Sequence, residues 1–328
     1  MKKFIIALAS ILILAPVFAT AQPVAGLKPS QTVLLYADSF EGNIDPVYAK
    51  EIILGGFKMQ DTNGLTGPET INEKGILRNV SDLARVDLYF PKKPNGQMVV
   101  VCPGGGYVKL SSYGEGQYVA DWMLSKGITV AVVKHRLPNG HWTVPLEDVH
   151  NAFRYCRAHA EEWKVKQIGV IGFSAGGHLA ACASNLFVDA ETRPDFSILV
   201  YPVISFDYNV YRSGTRPGLI GKEEVWEGNE AKLNELVEYY SMEKRVSPDT
   251  PQTFISHSTN DKTLVDNSLL YYKSLITHKV PAEMHLWKTG GHGWGFSSEK
   301  LVGKGKDKFA AHRQEFYVAL AKWLESIR

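Results

Sequence analysis

Cysteine is scarce in this chain: Cys102, Cys156 and Cys182 are the only three in 328 residues. A scaffold stapled by disulfides is thereby excluded, because such scaffolds need many paired cysteines in a short chain. All three lie in apolar strand or helix patterns and read as buried thiols. An excess of charge of either sign is also missing. The 36 Lys and Arg stand against 34 Asp and Glu, so nucleic acid is not an expected partner, since phosphate binding needs clustered surplus Lys and Arg. Internal repeats, low-complexity tracts and linkers are absent. What is plentiful is apolar: 45% of the residues are hydrophobic and 21% are charged. That composition supports a sizeable core and excludes global disorder.

The longest apolar run lies at the N-terminus. Lys2 and Lys3 precede a nearly unbroken apolar stretch from Phe4 to Phe18, and Ala19-Thr20-Ala21 follows. A positive start, a short apolar run and a small-x-small site are the parts of a cleavable signal peptide. The run falls short of the ~20 residues a spanning helix needs, so no membrane attachment is expected after a cut following Ala21. Cleavage removes two lysines and no acid, leaving 34 charges of each sign. The expected location is periplasmic or secreted. The rest, 22–328, is read as one α/β domain with an irregular Gly- and Asn-rich arm over 22–80 and an insertion or lid over 203–250.

From Val86 onward, strand and helix signals alternate. Strands are expected at Val86–Phe90, Met98–Cys102, Ile128–Val133, Gln167–Ile171, Ser197–Tyr201, Gln252–His257 and Glu283–Trp287. Helices are expected at Gly116–Lys126, Leu146–Ala160 after Pro145, Ser174–Asn185, Ala231–Met242, Asp266–Lys279 and near Lys308–Ile327. Continuous apolar runs suit strands buried on both faces. Strands alternating with helices imply a mostly parallel central sheet with helices on both faces. Chemistry in such a sheet collects at the carboxyl ends of the strands.

Gly172-Phe173-Ser174-Ala175-Gly176-Gly177 follows one buried strand and opens a helix. This is the G-x-S-x-G nucleophile elbow in the setting it requires, with Ser174 on a sharp turn and glycines where side chains would clash. Cys102-Pro103-Gly104-Gly105-Gly106-Tyr107 follows an earlier strand. A glycine-rich loop there lets backbone N–H groups approach a carbonyl oxygen as it becomes an oxyanion. Gly105, Gly106 and Ala175 are assigned as the donors. A phosphate loop is rejected on spacing, since neither G-x-G-x-x-G nor G-x-x-x-x-G-K-[ST] is present.

A serine nucleophile needs a base, and the base needs an orienting carboxylate. In this architecture the chain order is Ser, acid, His. Asp261 follows the strand Gln252–His257, and His292 lies in Gly290-Gly291-His292-Gly293-Trp294-Gly295 after the next strand. Asp261 and His292 therefore complete the set, and Asp266 is read as a helix cap. His135, His178, His257 and His285 show no ligand spacing such as H-E-x-x-H, so neither a metal nor an organic cofactor is expected. Tyr107, Trp142 and Trp294 flank the motifs as candidate substrate-binding aromatics, with Phe296 and Trp226 behind them; each could equally be a core residue.

These residues match a known pattern. The chain resembles the secreted carbohydrate esterases of the α/β-hydrolase superfamily, the acetyl xylan esterase-like group found with bacterial hemicellulose-degrading enzymes. The resemblance rests on Asn79-Val80-Ser81, Cys102–Tyr107, Arg136-Leu137-Pro138, Pro145-Leu146-Glu147-Asp148-Val149, Gly172–Ala180 and Gly290–Gly295. It implies a serine esterase that removes acetyl groups from acetylated polysaccharide or oligosaccharide, with Ser174, Asp261 and His292 at the triad positions. The chain departs from the group where His135 replaces a Tyr before Arg-Leu-Pro and in the detail of 203–250, and from many lipases where Pro103 replaces the His of His-Gly-Gly-Gly. A feruloyl or aryl esterase with the same triad, a serine peptidase, and an inactive polysaccharide-binding protein remain as alternatives.

Overall fold

The computed structural model describes residues 27–35, 69–80, 84–138, 141–210, 214–298 and 310–328. The expected signal peptide and its cut, Ser81 and most of the 22–80 arm lie outside the described residues. Among them, no helix is long and apolar enough to cross a membrane.

Eleven strands are described: β1 (Gln31–Leu34), β2 (Thr70–Ile71), β3 (Ile76–Arg78), β4 (Arg85–Tyr89), β5 (Gln97–Cys102), β6 (Leu110–Ser111), β7 (Thr129–Lys134), β8 (Gln167–Phe173), β9 (Ser197–Val200), β10 (Thr253–Ser258) and β11 (Ala282–Trp287). Eight form one sheet in the order β1-β4-β7-β5-β8-β9-β10-β11, and β2-β3-β6 form a small second sheet. In the large sheet β1–β4 and β4–β7 are antiparallel, while the pairs from β7–β5 to β10–β11 are parallel. The part of the arm that is described is therefore not wholly irregular: β1 pairs with β4 through Gln31↔Leu88 to Leu34↔Arg85.

Side-chain alternation explains why the central strands read as unbroken apolar runs. In β5, Met98, Val100 and Cys102 enter one core, and Val99 and Val101 enter the other. In β7, Ala131 and Val133 face the first core, Val130 and Val132 the second. Helices cover both faces. The first core is closed by α2 (Val144–Ala158), α3 (Ala175–Asn185) and α6 (Asp266–Thr277) through Val149, Phe153, Leu179 and Tyr271. The second is closed by α1 (Tyr118–Ser125) and α7 (Ala310–Ser326) through Val119, Met123, Phe316 and Leu320. Cys102, Cys156 and Cys182 are free and buried.

Two elements differ from the sequence reading. The helix expected from Gly116 begins earlier, as a π turn over Tyr113–Gln117 that runs into α1. Residues 203–250 hold a short helix, α4 (Thr215–Ile220), that their Pro and Gly had disguised as loop, followed by α5 (Glu230–Tyr239). This segment is packed inward, for Ile204, Phe206, Ile220, Trp226 and Met242 all belong to the first core.

A buried ion pair joins the segment just after β7 to the second turn of α2. Arg136 donates from Nη2 to Asp148 Oδ1 at 2.6 Å, and its backbone N–H reaches Oδ2 at 2.7 Å. Both side chains are almost wholly buried. Removing one partner strands the other charge in the core, at a cost of about 3–5 kcal/mol. Asp148→Ala is therefore expected to lower the unfolding free energy by about that amount, read from the urea midpoint at unchanged slope.

Candidate active site

Ser174 stands between the last residue of β8 and the first of α3, with φ 54° and ψ −120°. Such a backbone survives only where the surroundings over-determine it. A Cβ at Gly172 would come within 2.1 Å of the Gly176 carbonyl oxygen, and one at Gly176 within 2.1 Å of the Cys102 carbonyl oxygen. Glycine at both positions is thus a packing requirement. The turn presses β8, the start of α3 and the end of β5 together.

The residues singled out from the sequence meet at the carboxyl edge of the sheet. His292 Nε2 lies 2.8 Å from Ser174 Oγ, and His292 Nδ1 lies 2.8 Å from Asp261 Oδ2. Because the carboxylate only accepts, Nδ1 carries the proton and donates, leaving Nε2 to accept from the serine hydroxyl. Asp261 Oδ1 accepts the Thr263 N–H at 2.7 Å. Burial pushes the Asp261 carboxyl up, but the hydrogen bonds from His257 and His292, the His292 charge and the Thr263 N–H outweigh it and hold the group below the usual carboxylate value. A hydroxyl, an imidazole and a buried carboxylate in series are the parts of general-base-assisted acyl transfer.

The glycine loop lies beside Ser174. Gly105 and Gly106 have φ of 143° and 67°, which glycine adopts without strain. Among the described residues, no protein acceptor takes the N–H of Gly105 or Gly106. The Gly104 N–H is committed to Glu115 Oε2 at 2.7 Å. Ala175 opens α3, so its N–H points out of a helix N-terminus. Gly218 of α4 backs the loop closely, since a Cβ there would lie 2.0 Å from the Gly106 carbonyl oxygen.

The aromatic candidates fare differently. Tyr107 is buried, and its hydroxyl donates to His178 Nδ1 at 2.9 Å, because His178 Nε2–H is given to the Tyr240 carbonyl. Trp294 is also buried, packed edge-on against Phe316 and His312. Both rings are thus packed among other side chains, the core placement that the sequence left open beside substrate contact. Phe296 and Trp226 are buried too. Trp142 is half-buried and packs on Trp226 with ring centroids 5.9 Å apart.

The remaining histidines are structural in their contacts. His178 is stacked on Phe206, and burial pulls it down to about 4. His135 is buried edge-on to Tyr107, with Nδ1 3.0 Å from the Arg136 carbonyl oxygen. His257 is the exception in place, lying behind the acid: its Nε2 is 2.9 Å from the Thr263 carbonyl and 3.4 Å from Asp261 Oδ2. Its Nδ1 faces Ser268 Oγ at 2.8 Å. Asp266 is exposed in the first turn of α6 and makes no side-chain cap. Two residues bordering the site carried no motif, Glu115 and Tyr201. The one available signal was an acid set between Gly114 and Gly116 just ahead of an apolar helix. Among the described residues, no group of three or more His, Cys, Asp or Glu is placed to hold a metal ion.

The BD-FAE family model matches residues 86–275. The chain is 34% identical over 261 residues to an acetylxylan esterase of Xylanibacter ruminicola, a match covering 77% of this chain and 51% of that protein. It is 30% identical over 227 residues to endo-1,4-beta-xylanase B of Butyrivibrio fibrisolvens, covering 62% of this chain and 33% of that one. The chain thus spans about half the length of the first of these curated relatives and a third of the second. Among solved structures, the acetyl ester-xyloside bifunctional hydrolase of Caldicellulosiruptor lactoaceticus is 28% identical with a TM-score of 0.65, over 92% of this chain and 98% of that one. The α/β hydrolase MGS-M1 from a deep-sea metagenome shares the fold at 22% identity and a TM-score of 0.56, over 84% of this chain and 99% of that one. The expected fold class, an α/β-hydrolase with a mostly parallel sheet and helices on both faces, is thereby borne out, and the chain belongs to the BD-FAE family.

Proposed function

We propose that this protein is a serine carbohydrate esterase that removes O-acetyl groups from xylan-type hemicellulose or its oligosaccharides. The observation that carries the reading is the unbroken hydrogen-bond chain Ser174–His292–Asp261, with both links at 2.8 Å, beside a glycine loop with uncommitted N–H groups. Support for the substrate comes from the relatives, one an acetylxylan esterase and one an acetyl ester-xyloside hydrolase.

His292 Nε2 takes the Ser174 proton as Oγ attacks the ester carbonyl carbon. Asp261 keeps Nδ1 protonated and stabilises the imidazolium that results. The carbonyl oxygen becomes an oxyanion facing the N–H groups of Ala175, Gly106 and Gly105, each such donor being worth about 3–4 kcal/mol in the transition state. When the tetrahedral intermediate collapses, the sugar oxygen leaves with the proton from Nε2. Water then enters, gives a proton to Nε2, and releases acetate and the free serine by the same steps in reverse order. No step in this sequence calls on a cofactor. Residues 1–21, acting as a cleavable signal, place the enzyme in the periplasm or outside the cell.

Ser174→Ala is expected to lower kcat by about 10⁶-fold, and Ser174→Ala/His292→Ala by no more than the single change, because the two groups act as one unit. Asp261→Asn is expected to lose about 10⁴-fold through the wrong imidazole tautomer. Both are read from hydrolysis of an aryl acetate.

Acetate release from acetylated xylan and ferulate release from methyl ferulate decide the acyl group. Acetate lost in Ser174→Ala supports the proposal. Ferulate without acetate turns it into a feruloyl esterase, and release of neither, with no fluorophosphonate labelling of Ser174, leaves an inactive binding protein.

A further inference from the structure

Glu115 is a buried carboxylate that the acyl-transfer steps above do not use. It lies in the π turn Tyr113–Gln117, where its own backbone (φ −111°, ψ 15°) leaves the helical region and the residue is 9% exposed. Burying a carboxylate is costly unless its oxygens are engaged. Both are: Oε2 accepts the Gly104 N–H at 2.7 Å, and Oε1 accepts the Tyr201 hydroxyl at 3.0 Å. The same hydroxyl packs closely on Gly295, where a Cβ would lie 2.5 Å from it.

These contacts reach both loops that border Ser174. Gly104 belongs to the oxyanion loop and is wedged between the carboxylate and the nucleophile: a Cβ there would lie 2.8 Å from Glu115 Oε2 and 3.0 Å from Ser174 Cβ. Gly295 belongs to the loop that carries His292. The Tyr201 ring lies under His292 with centroids 4.8 Å apart. Tyr201 follows β9 with φ 39°, a strained position for a residue with a side chain. One carboxylate thus ties the oxyanion loop, the end of β9 and the histidine loop together.

The charges around Glu115 come from each element packed on it. Burial raises the carboxyl, while the Gly104 N–H, the His292 charge and the Tyr201 hydroxyl pull it down. Arg313 of α7 stands behind Tyr201, donating from Nε to the Gly295 and Trp294 carbonyls. Asp261 lies on the far side of His292. His292 thus has the Asp261 carboxylate hydrogen-bonded to Nδ1 and, against its ring, Tyr201, whose hydroxyl is held by the Glu115 carboxylate.

We propose that Glu115 is a positioning residue that clamps the oxyanion loop to the histidine loop and, as an anion, favours the cationic form of His292 that arises during catalysis. The proposal rests on the reading of Ser174, His292 and Asp261 as the triad. Glu115→Gln tests it, because Gln keeps the shape, still accepts the Gly104 N–H, and loses the charge while reversing the bond with the Tyr201 hydroxyl.

The measurement is kcat and kcat/KM for an aryl acetate from about pH 4 to about pH 9, with thermal melting and fluorophosphonate labelling of the same preparations. Glu115→Gln is expected to remain folded and to label at Ser174 more slowly. Its kcat should fall about tenfold, and the acid limb of kcat/KM should move to lower pH by about half a unit or more. The sign follows from the charge: without the anion the imidazolium is less favoured, so the base stays unprotonated further into acid. A wild-type rate and acid limb in a folded Glu115→Gln overturn the proposal. So does a lower melting temperature or lower kcat with the limb unmoved, which is what a purely structural role gives.

If Glu115→Gln does not fold, Tyr201→Phe carries the test. It keeps the ring under His292 and removes one donor from the carboxylate, which then protonates sooner and shifts the limb in the same direction. A wild-type rate and limb in that variant overturn the proposal. Labelling that persists in Ser174→Ala overturns instead the triad reading on which the proposal rests.

Discussion

The backbone of Ser174 is held at φ 54° and ψ −120°, a conformation that costs an ordinary residue about 1–3 kcal/mol. It is pinned from three sides. The Ser174 N–H donates to the Val200 carbonyl, and its own carbonyl accepts from Val203 and His178. The turn can close only because Gly172, Gly176 and the end of β5 come within contact of one another. That contact puts the glycine loop after Cys102 beside Ser174 and aims the hydroxyl outward from the sheet edge. The parallel register of β8, β9, β10 and β11 then delivers Asp261 and His292 to the same edge from later strands. Strain at one residue is offset by burial throughout both cores.

The electrostatics of the site follow from where burial stops. His292 is exposed while Asp261 and Glu115 are buried. Water can reach the imidazole, yet the carboxylates act through a medium that screens them weakly. Each buried oxygen is satisfied by a backbone N–H or a neutral side chain. Asp261 has Thr263 and, at longer range, His257, and Glu115 has Gly104 and Tyr201. This kind of fixed polar shell needs no rearrangement when charge appears in the transition state.

The alternation of strands and helices, the elbow and the chain order of Ser174, Asp261 and His292 were legible because each is a local pattern. Buried strands such as Met98–Cys102 announce themselves by apolar continuity, and glycines announce turns. What escaped was long-range. Nothing near Thr215–Ile220 distinguishes a packed helix from a Pro- and Gly-bearing loop, since its support comes from Gly106, far away in sequence. The sequence left Tyr107 and Trp294 open between substrate contact and core because they adjoin the motifs, and only the fold decides which side of the backbone a ring takes. Glu115 and His257 were passed over for the same reason, their partners being set by tertiary packing rather than by spacing.

The three cysteines carry a consequence of their own. Burial raises each thiol, so Cys102, Cys156 and Cys182 stay protonated in the folded chain. A thiol that cannot ionise neither attacks an oxidant nor exchanges with a disulfide. They come from three separate places, the end of β5, the last turn of α2 and the second half of α3. The three thiols are therefore shielded from thiol–disulfide exchange while the interior stays closed. In that sense the thiols are a built-in clock for global unfolding, silent while the two cores hold.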